Sequence, residues 1–248
     1  MSDADTGDSL VSHLLELRAR LLRAVAAVAL VFLALLPVSD RLYSWLAQPL
    51  LRTLPKGASL VAIEVTSTFF VPMRLAFFAA LMLALPVVLY QLWAFVAPGL
   101  YQHEKKLARP LLLAATVLFY TGCAFTYFLM LPVMFAYLSS SAPQGVVMMT
   151  DISHYLDFVL VMFLAGGLSF EVPVAVLIAV ILGWVTPAQL SAWRGYVIVV
   201  IFIIAAILTP PDGLSQIMMA VPMCALYELG VLFARLLRKR AEPGAVAP

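Results

Sequence analysis

The chain has 248 residues, of which 64% are apolar and only 11% charged, with a formal net charge of +2 and a mean hydropathy of +1.05. Soluble domains run at about half apolar and a quarter charged, so a soluble globule is excluded. A net charge this small says little about partners, because in a membrane protein the placement of charge matters more than its sum, and no nucleic-acid partner is expected.

Stretches 24–39, 75–103, 110–150, 172–193, 195–211 and 213–227 contain no Asp, Glu, Lys or Arg. Several exceed the roughly 20 residues that carry a helix across a hydrocarbon core of about 30 Å. The expected fold class is therefore an all-α polytopic membrane protein, one membrane domain over 1–248, with six spans at 21–39, 73–97, 109–132, 155–182, 195–209 and 213–233. The chain begins with a polar segment containing Asp3, Asp5 and Asp8 and shows no cleavage site after the first span, so that span is expected to be retained. No Arg- and Ser-rich transit segment is seen, which favours a bacterial plasma (inner) membrane.

Directly before span one stands HLLELRARLLR, residues 13–23, with Arg18, Arg20 and Arg23 around a single carboxylate, Glu16. Placing the N-terminus inside puts eleven Lys and Arg on the cytoplasmic side: those three, Lys105, Lys106, Arg109, Arg194, Arg235, Arg238, Lys239 and Arg240. Four remain outside, Arg41, Arg52, Lys56 and Arg74. That bias places both termini in the cytoplasm. The first outer segment, 40–72, is expected to hold a short interfacial helix with Asp40 as N-cap and Leu42, Trp45, Leu46, Leu50 and Leu54 near one face.

The short loop after span two reads GLYQHEKKL, again with one acid, Glu104, among bases. Both Glu16 and Glu104 have a simple local reading: an exposed pair, Glu16 with Arg20 one turn on, worth a few tenths of a kcal/mol. The second outer loop, SSSAPQGVVMMTD, carries no basic residue and reads as turn-forming. Four spans contain a proline in a similar setting (Pro86, Pro132, Pro173 and Pro222), where a missing donor and a crowded carbonyl predict kinks.

Glu171, in LSFEVPV, is the sharpest anomaly: it lies roughly 20 Å along span four, well inside the hydrocarbon. An ionised carboxylate at that depth costs at least a few kcal/mol, so the acid is expected to be protonated or paired in the bundle. Its rival reading is a protonated group bonded to a neighbour or to the carbonyl released by Pro173. Spans five and six are short, and LTPPDG joins them; a helix of their length covers about 22–26 Å, a mismatch that thinning of the adjacent bilayer is one way to accommodate. Ser215 reads as helix-to-helix glue, Gln216 as either glue or a docking position, and Glu228 as snorkelling or pairing with Arg235.

Catalytic and metal constellations are not found. His13, His103 and His154 are scattered without ligand spacing, Cys123 and Cys224 lie in different spans as packing residues, and no phosphate loop or nucleophile–base pair is present. An enzyme is not expected, nor a cofactor. A proton-coupled secondary transporter using Glu171 is the main rival class, although the internal repeat usual in such proteins is missing. A scaffold without receptor role would leave Glu16 and Glu104 unexplained.

The segments HLLELRARLL, YQLWAFVAPGLYQHEKK, LSFEVPVA and LTPPDGLSQ, in this order and spacing, resemble the TatC family, the receptor subunit of the twin-arginine protein translocase. The likeness covers nearly the whole chain; one departure is TSTFFVP, 66–72, where a proline is expected after the serine. It implies a cup-like arrangement of six helices and recognition of signal peptides bearing consecutive arginines. It implies single-span partners of TatA and TatB type, self-association in a multimeric receptor complex, and transport of folded proteins driven by the proton-motive force. By motif, the signal-binding acids fall on Glu16 and Glu104, with Arg18, Arg20 and Lys105 in support. The intramembrane acid falls on Glu171, and the polar position near the start of span six on Gln216.

Overall fold

A computed structural model describes residues 3–53, 59–96, 105–141, 149–209 and 212–241. The chain enters as α1 (Asp3–Leu35), passes through a 3-10 turn at Leu36–Val38 and continues into α2 (Ser39–Thr53). Then come β1 (Ser59–Val61), α3 (Ser67–Val96), α4 (Lys105–Phe125), a π turn at Thr126–Met130 and α5 (Leu131–Ser140). The remainder is β2 (Met149–Asp151), α6 (Ile152–Phe170), α7 (Val172–Ile181), α8 (Pro187–Ala192), α9 (Arg194–Leu208) and α10 (Gly213–Ala241).

Among the described residues, five helical stretches are long and apolar enough to cross a membrane: Leu15–Arg52, Ser67–Leu92, Pro110–Ser140, Ile152–Ile181 and Gly213–Leu237. Arg194–Leu208 is apolar too but shorter, reaching only about 22 Å at 1.5 Å per residue. Large apolar side chains such as Leu21, Leu30, Phe128 and Ile207 stand exposed along these helices. Water would penalise that surface and lipid does not. The chain is a multi-pass membrane protein.

Several expected boundaries move. Span three, expected to end at Pro132, runs on to Ser140, because the turn before the proline widens to a π turn. A π turn leaves room for a residue without an N–H, so the helix need not stop. Span four starts at Ile152, capped by Asp151, whose Oδ2 accepts from His154 N–H at 3.4 Å and lies 3.0 Å from His154 Nδ1. Helix α10 continues beyond 233, through the basic end of the chain, as far as Ala241. Pro86 and Pro222 lie within α3 and α10 without interrupting them.

The two segments expected to lie outside also differ from expectation. Asp40 is not an N-cap: Ser39 is already helical and Asp40 lies in the first turn of α2, its carbonyl accepting from Ser44 Oγ at 2.9 Å. A cap needs a non-helical residue, and the chain reaches α2 directly from the 3-10 turn. The buried side of α2 carries Leu46, Ala47, Pro49 and Leu50, while Trp45 is 66% exposed; Leu54 lies outside the described residues. The second of them is not all turn, since Met149–Asp151 pairs in parallel with Ser59–Val61, Leu60 opposite Thr150. Three-residue strands flanked by turn formers carry too little alternation to be read from sequence.

Contacts divide the chain into two units, with boundaries at Ala47/Gln48, Val61/Ala62 and Thr116/Val117. In the first unit α1 lies along α3, with Phe32 and Phe77 edge to face at 5.7 Å, and α3 buries Leu75, Ala76, Ala80 and Ala84. In the second, Met130, Leu131, Met134, Leu156, Val159 and Met162 form a core almost closed to solvent. Because lipid is as apolar as leucine, helix association here depends on close packing, which small residues permit. A Cβ at Gly122 would stand 2.5 Å from the carbonyl oxygen of Gly166, and one at Gly167 2.5 Å from the Phe119 ring, so α4 and α6 meet backbone to backbone.

Candidate functional site

The acid that opens the chain's chemistry is Glu16, on α1. Its i,i+4 spacing puts Arg20 on the same face, and Arg20 Nε donates to Glu16 Oε1 at 3.0 Å while Nη2 closes on the same oxygen. The carboxylate is 38% exposed. Arg20 therefore holds Glu16 by one oxygen, and among the described residues no donor meets Oε2. Arg18 and Arg23 are exposed on the same helix, so the acid stands in a positive field. Glu104 lies outside the described residues, and Lys105 is described only as the first residue of α4. The second of the two expected signal-binding acids thus falls outside the described residues.

Glu171 sits at the break between α6 and α7. Its N–H donates to Leu168 O at 3.1 Å and its carbonyl accepts from Ala175 N at 2.9 Å, so the backbone passes through the break with both groups used. Pro173 begins α7, where a missing N–H costs least. The side chain is half-buried and its Oε1 is buried with no hydrogen-bond partner among the described residues. The rival reading of a satisfied structural acid is not what this oxygen does.

Two close helix crossings hold that break. Before it, Gly166 lies against Gly122 and Thr126: a Cβ there would stand 1.9 Å from Thr126 Oγ1, which itself donates to Gly122 O at 2.9 Å. After it, Gly230 of α10 lies against α7, and a Cβ there would be 2.9 Å from Pro173 Cα and 3.2 Å from Val176 Cβ. Neither neighbour can retreat cheaply, because one is backbone and the other a core side chain. The acid is thus placed by packing rather than by a polar partner of its own.

At the far end of the α9–α10 hairpin, Gln216 Nε2 donates to Phe202 O at 3.1 Å and ties the two helices. Asp212 Oδ1 accepts from Ser215 N–H at 2.7 Å and so caps α10. The Ser215 hydroxyl, fully buried, and Asp212 Oδ2 have no hydrogen-bond partner among the described residues. Glue is therefore the work of Gln216 and not of Ser215: an amide on two more bonds reaches the next helix, and a hydroxyl does not.

At the other end of the hairpin, Glu228 pairs with Arg194 at 2.7 Å rather than with Arg235, which donates to Ser191 Oγ. Tyr227 OH donates to Leu190 O at 2.8 Å and fastens α8 to α10. From the sequence, Arg194 enters only the count of basic residues that sets the topology. Its position opening α9, antiparallel to α10, was the available signal that it shares a membrane side with Glu228. Among the described residues no cluster of His, Cys, Asp and Glu is placed to hold a metal ion.

The family model described as Sec-independent protein translocase protein (TatC) matches residues 12–222. A Sec-independent protein translocase protein TatC from Azotobacter chroococcum is 50% identical, over 98% of this chain and 95% of that protein. Its counterpart from Escherichia coli K12 is 46% identical, over 95% of this chain and 91% of that protein. A crystal structure of a twin-arginine translocase receptor, TatC, superposes with a TM-score of 0.77 at 33% identity, covering 91% of this chain and 99% of the other.

Proposed function

This chain belongs to the TatC family of Sec-independent protein translocase components, and on that premise we propose that it is the receptor that binds twin-arginine signal peptides through Glu16 and Glu104. The family is one of transport components and not of catalysts. The reading extends to partners of TatA and TatB type, to self-association in a receptor complex, and to transport of folded cargo driven by the proton-motive force. Its setting is a bacterial inner membrane, six spans with both termini cytoplasmic, in line with the eleven-to-four distribution of Lys and Arg.

The observation that supports the site is Glu16, a partly exposed carboxylate gripped by Arg20 through a single oxygen. An incoming guanidinium takes the other oxygen and competes with Arg20 for the first. Arginine suits this exchange because its planar fork binds a carboxylate through two parallel bonds, which an ammonium cannot do. Glu104, assigned by motif, is the second acceptor for the second arginine. Arg18, Arg20 and Lys105 repel stray cations, so recognition rests on geometry. Glu171 then meets a polar group of a partner's span, or draws water into the bilayer beside it.

Binding of a peptide carrying an RR pair and of its KK variant tests this, on the purified protein and its Glu16→Gln/Glu104→Gln double variant. RR is expected to bind about tenfold more tightly than KK, and the double variant to lose that difference. Equal binding of RR and KK by both proteins would return the two acids to a purely topological role.

A further inference from the structure

A groove of about 500 Å3 opens at the α8 end of the α9–α10 hairpin, with Arg194, Glu228 and Arg235 at its polar side and Ala225, Leu229 and Leu232 along its apolar side. Leu229 and Leu232 are half exposed. Arg194 is the first residue of α9, and Arg235 lies two residues before the end of the last membrane-length stretch, Gly213–Leu237. The helices form an antiparallel hairpin, tied at one end by Gln216 and Phe202 and at the other by Arg194 and Glu228, so both guanidinium groups stand at the same end, where the two apolar stretches finish.

The charges in the groove do not cancel. Arg194 is matched by Glu228 at 2.7 Å, whereas Arg235 donates to the neutral hydroxyl of Ser191. Among the described residues one positive charge is left over. Each guanidinium is oriented by one contact, and five donors per group leave several for a further acceptor. A basic pocket between membrane helices, open to the headgroup layer, suits an anionic lipid. The volume is that of a small-molecule site and is too small to bury a helix.

We propose that this groove binds an anionic phospholipid, its phosphodiester between Arg235 and Arg194 and the upper part of one acyl chain along Leu229 and Leu232. Glu228 tunes the choice. Its carboxylate repels a dianionic phosphate monoester and tolerates the single charge of a phosphodiester, and its second oxygen accepts from a headgroup hydroxyl. The site is independent of signal-peptide recognition, since neither Glu16 nor Glu104 takes part.

The test is native mass spectrometry of the full chain in detergent, titrated with phosphatidylglycerol and, separately, with neutral phosphatidylcholine. The first phosphatidylglycerol is expected to bind about fivefold more tightly than phosphatidylcholine, as one lipid-facing cation predicts. Arg235→Gln should abolish the preference, Arg235→Lys should keep most of it, and Glu228→Gln should strengthen it. Should Arg235→Gln fail to fold, Leu229→Trp, at an exposed position on the groove wall, decides instead: it fills the groove and should lose the preference. No preference in the unaltered protein, or one unchanged in the variant that decides, overturns the proposal. So does displacement of the lipid by equimolar water-soluble glycerophosphoglycerol, which would mark a site for a free phosphate ester.

Discussion

Glu16 and Glu171 are both solitary acids in a strongly apolar chain, yet the structure treats them in opposite ways. Glu16 stands on a continuous helix, partly exposed, with a cation one turn away holding it. Glu171 stands in a helix break with a buried oxygen and no polar partner among the described residues, kept in place by glycine crossings on either side. The first is a local device: spacing alone makes the pair, and its energy is small. The second is a tertiary device: the packing around the acid decides where it sits. An acid with a ready partner can exchange that partner for a ligand. An acid without one, among the described residues, has no such exchange to make.

This contrast is broken most severely at the crossing. Gly230→Leu places carbon against the Pro173 backbone, where a Cβ already comes within 2.9 Å. Overpacking of this kind is expected to cost about 3 kcal/mol, seen as a lower thermal midpoint in detergent. An unchanged midpoint would mean that α7 and α10 yield easily and that the acid's seat is soft.

Glu16→Gln comes next. Affinity for an RR peptide should fall about tenfold, while the thermal midpoint barely moves, because an exposed i,i+4 pair contributes only about 0.3–0.5 kcal/mol. A large stability loss with affinity intact would make Glu16 structural. Gln216→Ala removes a bond that does have a partner, to Phe202 O, and should cost about 0.6 kcal/mol in chemical denaturation in mixed micelles. If it costs nothing, the amide's role lies in docking another chain rather than in joining α9 to α10.

The smallest stability effect is expected for Glu171→Gln. No hydrogen bond to Oε1 is lost, because none is made among the described residues, so stability should stay within about 0.5 kcal/mol of the unaltered protein. Transport of folded cargo in reconstituted vesicles should nevertheless fall. Full transport by this variant and by Glu171→Ala would remove Glu171 from the mechanism. A loss above about 1 kcal/mol would show that the acid does have an internal partner.

Much of this was legible beforehand, and the reasons are physical. Arg20 follows Glu16 by four residues, and helix geometry then leaves little choice. Arg194–Leu208 came out within a residue of its expected span, 195–209, because charged residues and proline bound a wholly apolar stretch. Where several outcomes satisfy the same local chemistry, reading failed. Pro132 could have ended its helix or been absorbed by a π turn, and the run of apolar residues around it allows both. Glu228 had cations within reach on its own helix and on α9, and only the hairpin's geometry chose Arg194.

Composition and the order of charges determined that this chain lives in a bilayer, which of its segments are apolar enough to cross, and that Glu16, Glu104 and Glu171 are the acids to explain. Those properties follow from transfer free energies and helix periodicity, which act residue by residue. Only the tertiary structure decided that glycines bring α4 to α6 and α7 to α10, that β1 pairs with β2, and that Gln216 rather than Ser215 joins two helices. Each of these depends on how closely two segments distant in the chain approach. In a lipid solvent that distance is set by the fit of their surfaces, and hydropathy carries no record of it.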